Sequence, residues 1–376
     1  MKIFPFRPWY PDFDLIASAD SFFGSVREEY VAYKKAGFFN RSSEAALFFY
    51  QIKSDVRTYT GLMCCTSIEE YERGNILKHE GTLSAREQKM IQLLVQRKAM
   101  VKPVMLVYQK VKAINKLITG YIQNHPPFYS TYFELDKQEH LLWKITDKEL
   151  IIKVRELFDK RVQSAYIADG HHRTTTVSLL NERLKNRIDA GNYEQMMVVL
   201  FGSDQLELLE YNRVVEGLKD CTPTLFMAQL ANLFDIEILE EGRKPAQKHQ
   251  ITLYINREWY LLSWKKSVLR EYKSKKIILD AALLNEKVLK GILNIKNIRF
   301  DHRITYVPGS KGLRGLEKTT KQNDDRIGFY LYPVQLSELM ILADQHMLLP
   351  PKSTYFEPRI KNGLLIKSLE KEDLSR

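Results

Sequence analysis

The chain has 376 residues, 44% of them hydrophobic and 27% charged, with a formal net charge of +11 from 57 basic and 46 acidic side chains. That length suits two domains, and the composition excludes collagen-like, disordered and disulfide-scaffold classes. The positive excess would attract nucleic acid or a phosphorylated small molecule, although the basic residues are spread along the chain in the manner of a solvated surface.

Near the N-terminus, "EAALFFYQI" (44–52) and "RTYTGLMCCTSI" (57–68) flank a polar turn and predict a β-hairpin. "LKHEGTLSAREQKMIQLLVQRK" (77–98) follows. Ser84 with Glu87 three residues later forms a capping box, and Ile91, Leu93, Leu94 and Val95 give an apolar helical face. His79 and Glu80 then fall in the loop before that helix. "PVMLVYQKV" (103–111) reads as a strand, "KELIIKVRELFDKR" (148–161) as a helix and "SAYIA" (164–168) as a short buried strand. "TTTVSLLNERLKNRI" (174–188) is helical, with Val177, Leu179, Leu180 and Leu184 inward; "QMMVVLFGS" and "LELLEYNRVVEGL" close this half.

The texture changes near residue 219. A helix at "PTLFMAQLANLF" precedes a strand "FDIEIL" and a hairpin "HQITLYINREWYLLSW". A helix over 279–293, strands at 303–309 and 326–333 and a helix over 334–346 complete the pattern. Strands and helices alternate irregularly, so the expected class is α+β, with domains at 1–218 and 219–376.

Cys64, Cys65 and Cys221 are an odd set without a C-x-x-C pair, which points to a reducing, cytoplasmic setting. Prolines and charges interrupt the first thirteen residues where a signal peptide needs an apolar run, and no window approaches eighteen apolar residues. Neither a leader nor a membrane partner is expected.

Chemistry concentrates in "YIADGHHRTTT" (166–176), the turn between a predicted strand and a predicted helix. Unpaired N–H groups and a positive dipole at a helix start favour an anion. Gly170 lets the backbone approach a ligand, and Arg173 offers a fork for phosphate oxygens. His171 and His172 can donate to phosphate, and Asp169 could hold a Mg²⁺ bridging the same phosphates. Zinc ranks below phosphate, because neither an i,i+4 histidine pair nor a cysteine cluster is present. A crowded polar turn without ligand is the plain alternative. Glu80 could serve as a general base. In "PPKSTYFEP" (350–358), Lys352, Ser353 and Thr354 combine a cation with two hydroxyls, suited to a carboxylate or phosphate; a proline-stiffened loop with an aromatic anchor is the equal alternative. No Walker A and no G-x-G-x-x-G motif occurs.

"YIADGHHRTTT", with "ALFFYQI", "ILKHEGT", "ITYVPG", "FYLYP" and "PPKSTYFEP…NGLLI" in that order, resembles a bacterial family of unknown function that carries an I-x-D-G-H-H-R signature. That family belongs to the ParB/sulfiredoxin-like superfamily and is related to the free serine kinase. The resemblance runs from about residue 40 onward. It implies a ParB/sulfiredoxin-like N-terminal domain and a second α+β domain. It further implies ATP or ADP with Mg²⁺ at Asp169–Thr174, Glu80 as the base for a serine hydroxyl, His79 near the substrate, and Lys352–Thr354 binding the amino acid or its phosphate. His172 joins Glu80 and Asp169 in the catalytic set. Departures are Thr174, where the family commonly has an aromatic residue, and Asn212–Arg213, where it often has His-Arg. The implied reaction turns free L-serine into O-phosphoserine, with ATP, ADP or CTP as donor. A ParB-like nucleotide-dependent DNA-binding regulator is the alternative, though no convincing helix-turn-helix supports it. A sulfiredoxin-like reductase is set aside, because histidines stand where its cysteine would be.

Overall fold

A computed structural model describes residues 1–82, 84–184, 192–218 and 221–370. The chain divides into two compact units: residues up to Glu207 joined by those from Pro358 onward, and Leu208–Glu357 between them. Both mix helices with sheets, so the chain is α+β.

In the first unit a nine-stranded mixed sheet runs in the order Ile76–Leu77, Ala165–Asp169, Val104–Tyr108, Gln195–Gly202, Thr58–Ser67, Leu47–Ser54, Gln138–Ile145 and Tyr129–Phe133, with Ile3–Phe4 beside Thr58–Ser67. Leu47–Tyr50 and Met196–Phe201 are continuous apolar runs with every side chain buried. That is the signature of strands covered on both faces. Cys64 and Cys65 lie in this core, where burial pushes the Cys65 thiol up to about 12 and Cys64 well above its usual range. They act there as small hydrophobes.

The expected hairpin occurs as Leu47–Ser54 and Thr58–Ser67, and the helix of 148–161 as Lys148–Arg161, with Asp147 accepting from the Leu150 N–H. The helix at Ser84–Arg97 is present; Leu94 is buried but Val95, expected on its apolar face, is 46% exposed. The Ser84 side chain of the expected capping box lies outside the described residues. So does the C-terminal end (185–188) of the helix expected over 174–188.

The two units do not divide at 218/219. Tyr211–Glu216 pairs with Ile304–Pro308 and Arg326–Leu331, which places it in the second unit. The tail strand Ile366–Ser368 instead pairs with Pro8–Pro11 and Ala99–Met100 in the first. Leu364, Leu365, Ile366 and Leu369 are all buried, each contributing about 2 kcal/mol of apolar transfer to that return.

The second unit is built on a six-stranded antiparallel sheet ordered Phe234–Leu239, Glu258–Trp264, Gln250–Ile255, Arg326–Leu331, Tyr211–Glu216 and Ile304–Pro308. Its central hairpin turns at Asn256 and Arg257, both with φ in the left-handed region, the geometry that matches strand twist in a two-residue connection. Phe226, Leu230, Leu284 and Val288 pack on one face. The helix expected over 279–293 is α-helical only at Asp280–Leu283 and continues as a π-helical turn, Leu284–Lys290.

Candidate functional site

Strand pairing in the first unit assembles the site. Ala165–Asp169 pairs parallel with Ile76–Leu77 on one edge and antiparallel with Val104–Tyr108 on the other. Parallel pairing carries the residues after Leu77, including His79 and Glu80, to the end of the strand at Asp169. Antiparallel pairing brings the residues before Val104, including Lys102, to that same end. A register shift between Ile167 and Asp169 marks a bulge there, a device that re-aims side chains beside functional sites.

Gly170 follows with φ +114°, a conformation that a side chain would strain. The helix His171–Leu184 begins at once, and the Thr174 N–H donates to the Gly170 carbonyl at 3.0 Å. The first N–H groups of such a helix lack intrahelical acceptors and sit at the positive end of its dipole. They belong to His171, His172 and Arg173.

The Asp169 carboxylate receives Lys102 Nζ at 2.9 Å and Arg173 Nη2 at 3.1 Å, both on Oδ2. Arg173 Nη2 also donates to the Pro103 carbonyl at 3.3 Å. Burial alone would raise the Asp169 carboxyl. The Arg173 guanidinium, then the Lys102 ammonium and its hydrogen bond, then Arg359 overcome this and hold it well below the usual carboxylate range. Lys102 is lowered by burial, an effect that Asp169 partly offsets.

The two histidines of the motif have different surroundings. His171 is buried, and its Nε2 accepts the His79 backbone N–H at 3.4 Å. The His79 and His171 rings meet edge to face with centroids 4.5 Å apart. Burial pushes His171 down to about 3, and burial followed by the His171 charge pushes His79 well below its ordinary value. Both rings are therefore neutral at physiological pH. His172 and Arg173 are only partly buried.

A cavity of ≈ 400 Å³ opens over this turn, lined by Arg27, Glu80, Lys89, Asp169, Gly170, His171, His172 and Arg173, with Met90 and Leu93. Arg27 comes from the helix Ala19–Lys35, and Lys89 and Met90 from Ser84–Arg97, which packs against the motif helix. The structure thus brings Glu80 to the D-G-H-H-R turn. His79 is wholly buried behind His171 and does not line the cavity. Thr174 is buried as well, its hydroxyl donating to the Gly170 carbonyl at 3.2 Å.

Lys352, Ser353 and Thr354 belong to the second unit and are not among the residues lining this cavity. There Lys352 adopts φ +57°, its ammonium lies 4.9 Å from the Tyr211 ring centroid, and the Ser353 hydroxyl donates to the Pro350 carbonyl at 2.7 Å. Arg213, also in that unit, is fully buried and donates to the Tyr211 and Lys352 carbonyls.

Residue type and spacing alone do not single out Arg27, Lys89 and Lys102. For Arg27 a signal exists: Ser18 caps the Ala19–Lys35 helix, and Phe22, Phe23, Val26 and Tyr30 repeat on its buried face. Lys102 stands alone before a proline and carries no such mark.

The donor set suits an anion. Three cations, the neutral His171, His172 and a helix start face the cavity, which Glu80 also lines. It does not suit a divalent metal held by protein side chains. Asp169 already neutralises two cations through one oxygen, and among the described residues no group of three histidine, cysteine or acidic side chains gathers. The magnesium expected at Asp169 would share that carboxylate with two cations and draw its other ligands from the nucleotide's own phosphates and water, and no chemical step is routed through it.

Among the described residues no helix is long and apolar enough to cross a membrane. Solved structures to which the chain is similar include a free serine kinase in complex with AMP, at 13% identity, covering 80% of this chain and 92% of that one, with a TM-score of 0.37. SbnI with a C-terminal truncation, from Staphylococcus aureus, is 11% identical over 83% of this chain and 90% of its own, with a TM-score of 0.44. A conserved hypothetical protein from Pyrococcus furiosus is 12% identical over 81% and 95%, with a TM-score of 0.38. No curated protein matches the sequence. The model of the family described as "Protein of unknown function (DUF1015)" matches residues 10–285, and the chain belongs to that family.

Proposed function

We propose that the chain is a phosphotransferase that binds a nucleoside di- or triphosphate, ADP or ATP, at the Asp169–Arg173 turn and passes its terminal phosphoryl group to the hydroxyl of free L-serine. The observation that carries this reading is that Glu80 and the anion-suited turn line one cavity. Phosphoryl transfer asks mainly for positioning and charge neutralisation, and this inventory supplies both. The helix N–H groups, His172 and Arg173 hold the phosphates, with Arg27 and Lys89 adding charge. Glu80 takes the proton of the acceptor hydroxyl as its oxygen bonds to phosphorus. The bond from phosphorus to the bridging oxygen breaks, and the shortened nucleotide leaves with that electron pair. His79 and Thr174 support the turn from behind.

The test is formation of O-phosphoserine from serine with ATP, ADP or CTP, read by mass spectrometry. Glu80→Gln should lower turnover at least about 100-fold, in line with loss of a general base, while nucleotide affinity stays within about twofold. Unchanged turnover in that variant removes Glu80 from the role. Nucleotide hydrolysis stimulated by DNA, with no phosphoserine, would replace the whole reading by that of a DNA-binding regulator.

A further inference from the structure

Behind Arg173 lies a second, smaller cavity of ≈ 160 Å³. Arg27, Arg97, Lys102 and Arg173 line it, and among the described residues no acidic one does. Much of the remaining wall is apolar, with Met90, Leu94 and their neighbours. We infer that this cavity is a separate binding site for a small organic acid, a carboxylate on a short apolar stem, coupled to the larger cavity through the shared Arg173.

The charge balance favours an anion. Asp169, on the far side, answers Lys102 and Arg173. Arg97 has no ion pair within 4 Å among the described residues, and Glu28, whose charge acts on Arg97, lies 3.8 Å from Arg27 with both side chains about half exposed or more. Four cations thus face one small space, against two acids, Asp169 behind it and the exposed Glu28 beside Arg27. Burial and then the Arg27 charge lower Arg97 from its ordinary value, as expected for crowded like charges.

Size and polarity narrow the ligand. The space is below the roughly 300–1,000 Å³ that encloses drug-sized ligands, so a whole nucleotide does not fit. A planar carboxylate matches an arginine fork. Its stem can lie on the methionine and leucine wall, where a phosphate dianion would lose hydration on one side without compensation. Because Arg173 touches both cavities, occupancy of one shifts the guanidinium seen by the other. The site does not depend on phosphoryl transfer taking place next to it.

The experiment is isothermal titration of the full chain with n-butyrate, inorganic phosphate and n-butylamine, on wild type, Arg97→Met and Arg97→Lys. Butyrate should bind wild type saturably, at least about tenfold more weakly in Arg97→Met, and with partial recovery in Arg97→Lys. Phosphate and ADP, accommodated by the larger cavity, should bind Arg97→Met within about threefold of wild type, and butylamine should not bind. Absence of saturable butyrate binding up to about 50 mM overturns the inference. So does equal butyrate affinity in Arg97→Met, or a parallel loss of phosphate binding there. Should Arg97→Met misfold, as its urea midpoint would show, Arg97→Lys and the contrast between butyrate and butylamine decide the matter: weaker butyrate binding in Arg97→Lys with no butylamine binding supports the site, and equal binding of the two ligands overturns it. Butyrate binding without nucleotide binding would sink the proposed kinase and leave this site standing.

Discussion

Replacing Asp169 by Asn removes one negative charge from between two cations while keeping an oxygen acceptor in place. Lys102 and Arg173 approach that carboxylate at 2.9 and 3.1 Å; Lys102 is 22% exposed, Arg173 17% and Asp169 28%. A charge pair about 4 Å apart attracts by about 4 kcal/mol at an effective dielectric of 20. Desolvation offsets much of that, and loss of one partner from a buried pair typically costs about 3–5 kcal/mol. With partial exposure and a retained hydrogen-bond acceptor, the expected loss for Asp169→Asn is about 2–3 kcal/mol. In urea unfolding this lowers the midpoint by about 1 M or more at a slope of about 1–3 kcal/mol per M. The pH dependence has a definite sign. The folded carboxyl lies below its unfolded value of about 3.9, so its contribution is complete above that pH and is lost as pH falls toward the folded value. The wild-type advantage should therefore shrink by about 1.4 kcal/mol per pH unit below about pH 4. An unchanged midpoint at pH 7, or a gap that widens on acidification, would refute the ion-pair argument.

Gly170→Ala places a Cβ 2.8 Å from Arg173 Nη2 at φ +114°; the backbone strain alone should cost about 1–3 kcal/mol, and nucleotide affinity should fall because the guanidinium must move. Native stability with wild-type affinity in that variant would mean the turn tolerates a side chain. The His171 ring, pushed down to about 3, should show no NMR titration between pH 8 and 5, whereas a midpoint near 6.5 would contradict its burial. Because the folded values of His79 and His171 lie below the unfolded one, both stabilise the fold above about pH 6.5. Stability should fall by up to about 1.4 kcal/mol per unit for each as pH drops below that, read as urea midpoints across pH 7 to 5.

Local patterns carry much of the fold. The hairpin Leu47–Ser54/Thr58–Ser67 and the helix Lys148–Arg161 are visible because alternation, period and an N-cap aspartate are local properties. The division into units is not legible in the same way. Tyr211–Glu216 and Ile366–Ser368 are short apolar strands, and only their pairing partners, about 90 residues or more away in sequence, decide which sheet they join. In the site, Glu80 and Gly170–Arg173 stand out by residue type. Lys102 and Arg97 do not, since a lone basic residue in a chain with 57 of them has no distinguishing pattern. The adjacent histidines look like equivalent donors in the sequence, yet the helix sends His171 inward against His79 and leaves His172 at the cavity.

The spacing of Asp169 and Arg173 explains why the turn needs its glycine. Asp169 ends a strand and Arg173 stands in the first turn of the next helix, so their pairing folds the guanidinium back over residue 170. There it passes so close that any Cβ would displace it. The Pro103 carbonyl, just before the neighbouring strand, accepts from the same guanidinium, and Lys102 holds the Asp169 carboxylate that it pairs with. An arginine side chain loses about 2 kcal/mol of rotamer entropy when immobilised, and here most of that cost falls at folding instead of at ligand binding. The guanidinium is ordered before any anion enters, which favours affinity through preorganisation. Arg173, with Arg27, Met90 and Leu93, is a wall common to the larger and the smaller cavity. A ligand on one side that draws the guanidinium toward itself therefore strains its contacts with Asp169 and the Pro103 carbonyl, and the other side feels that shift.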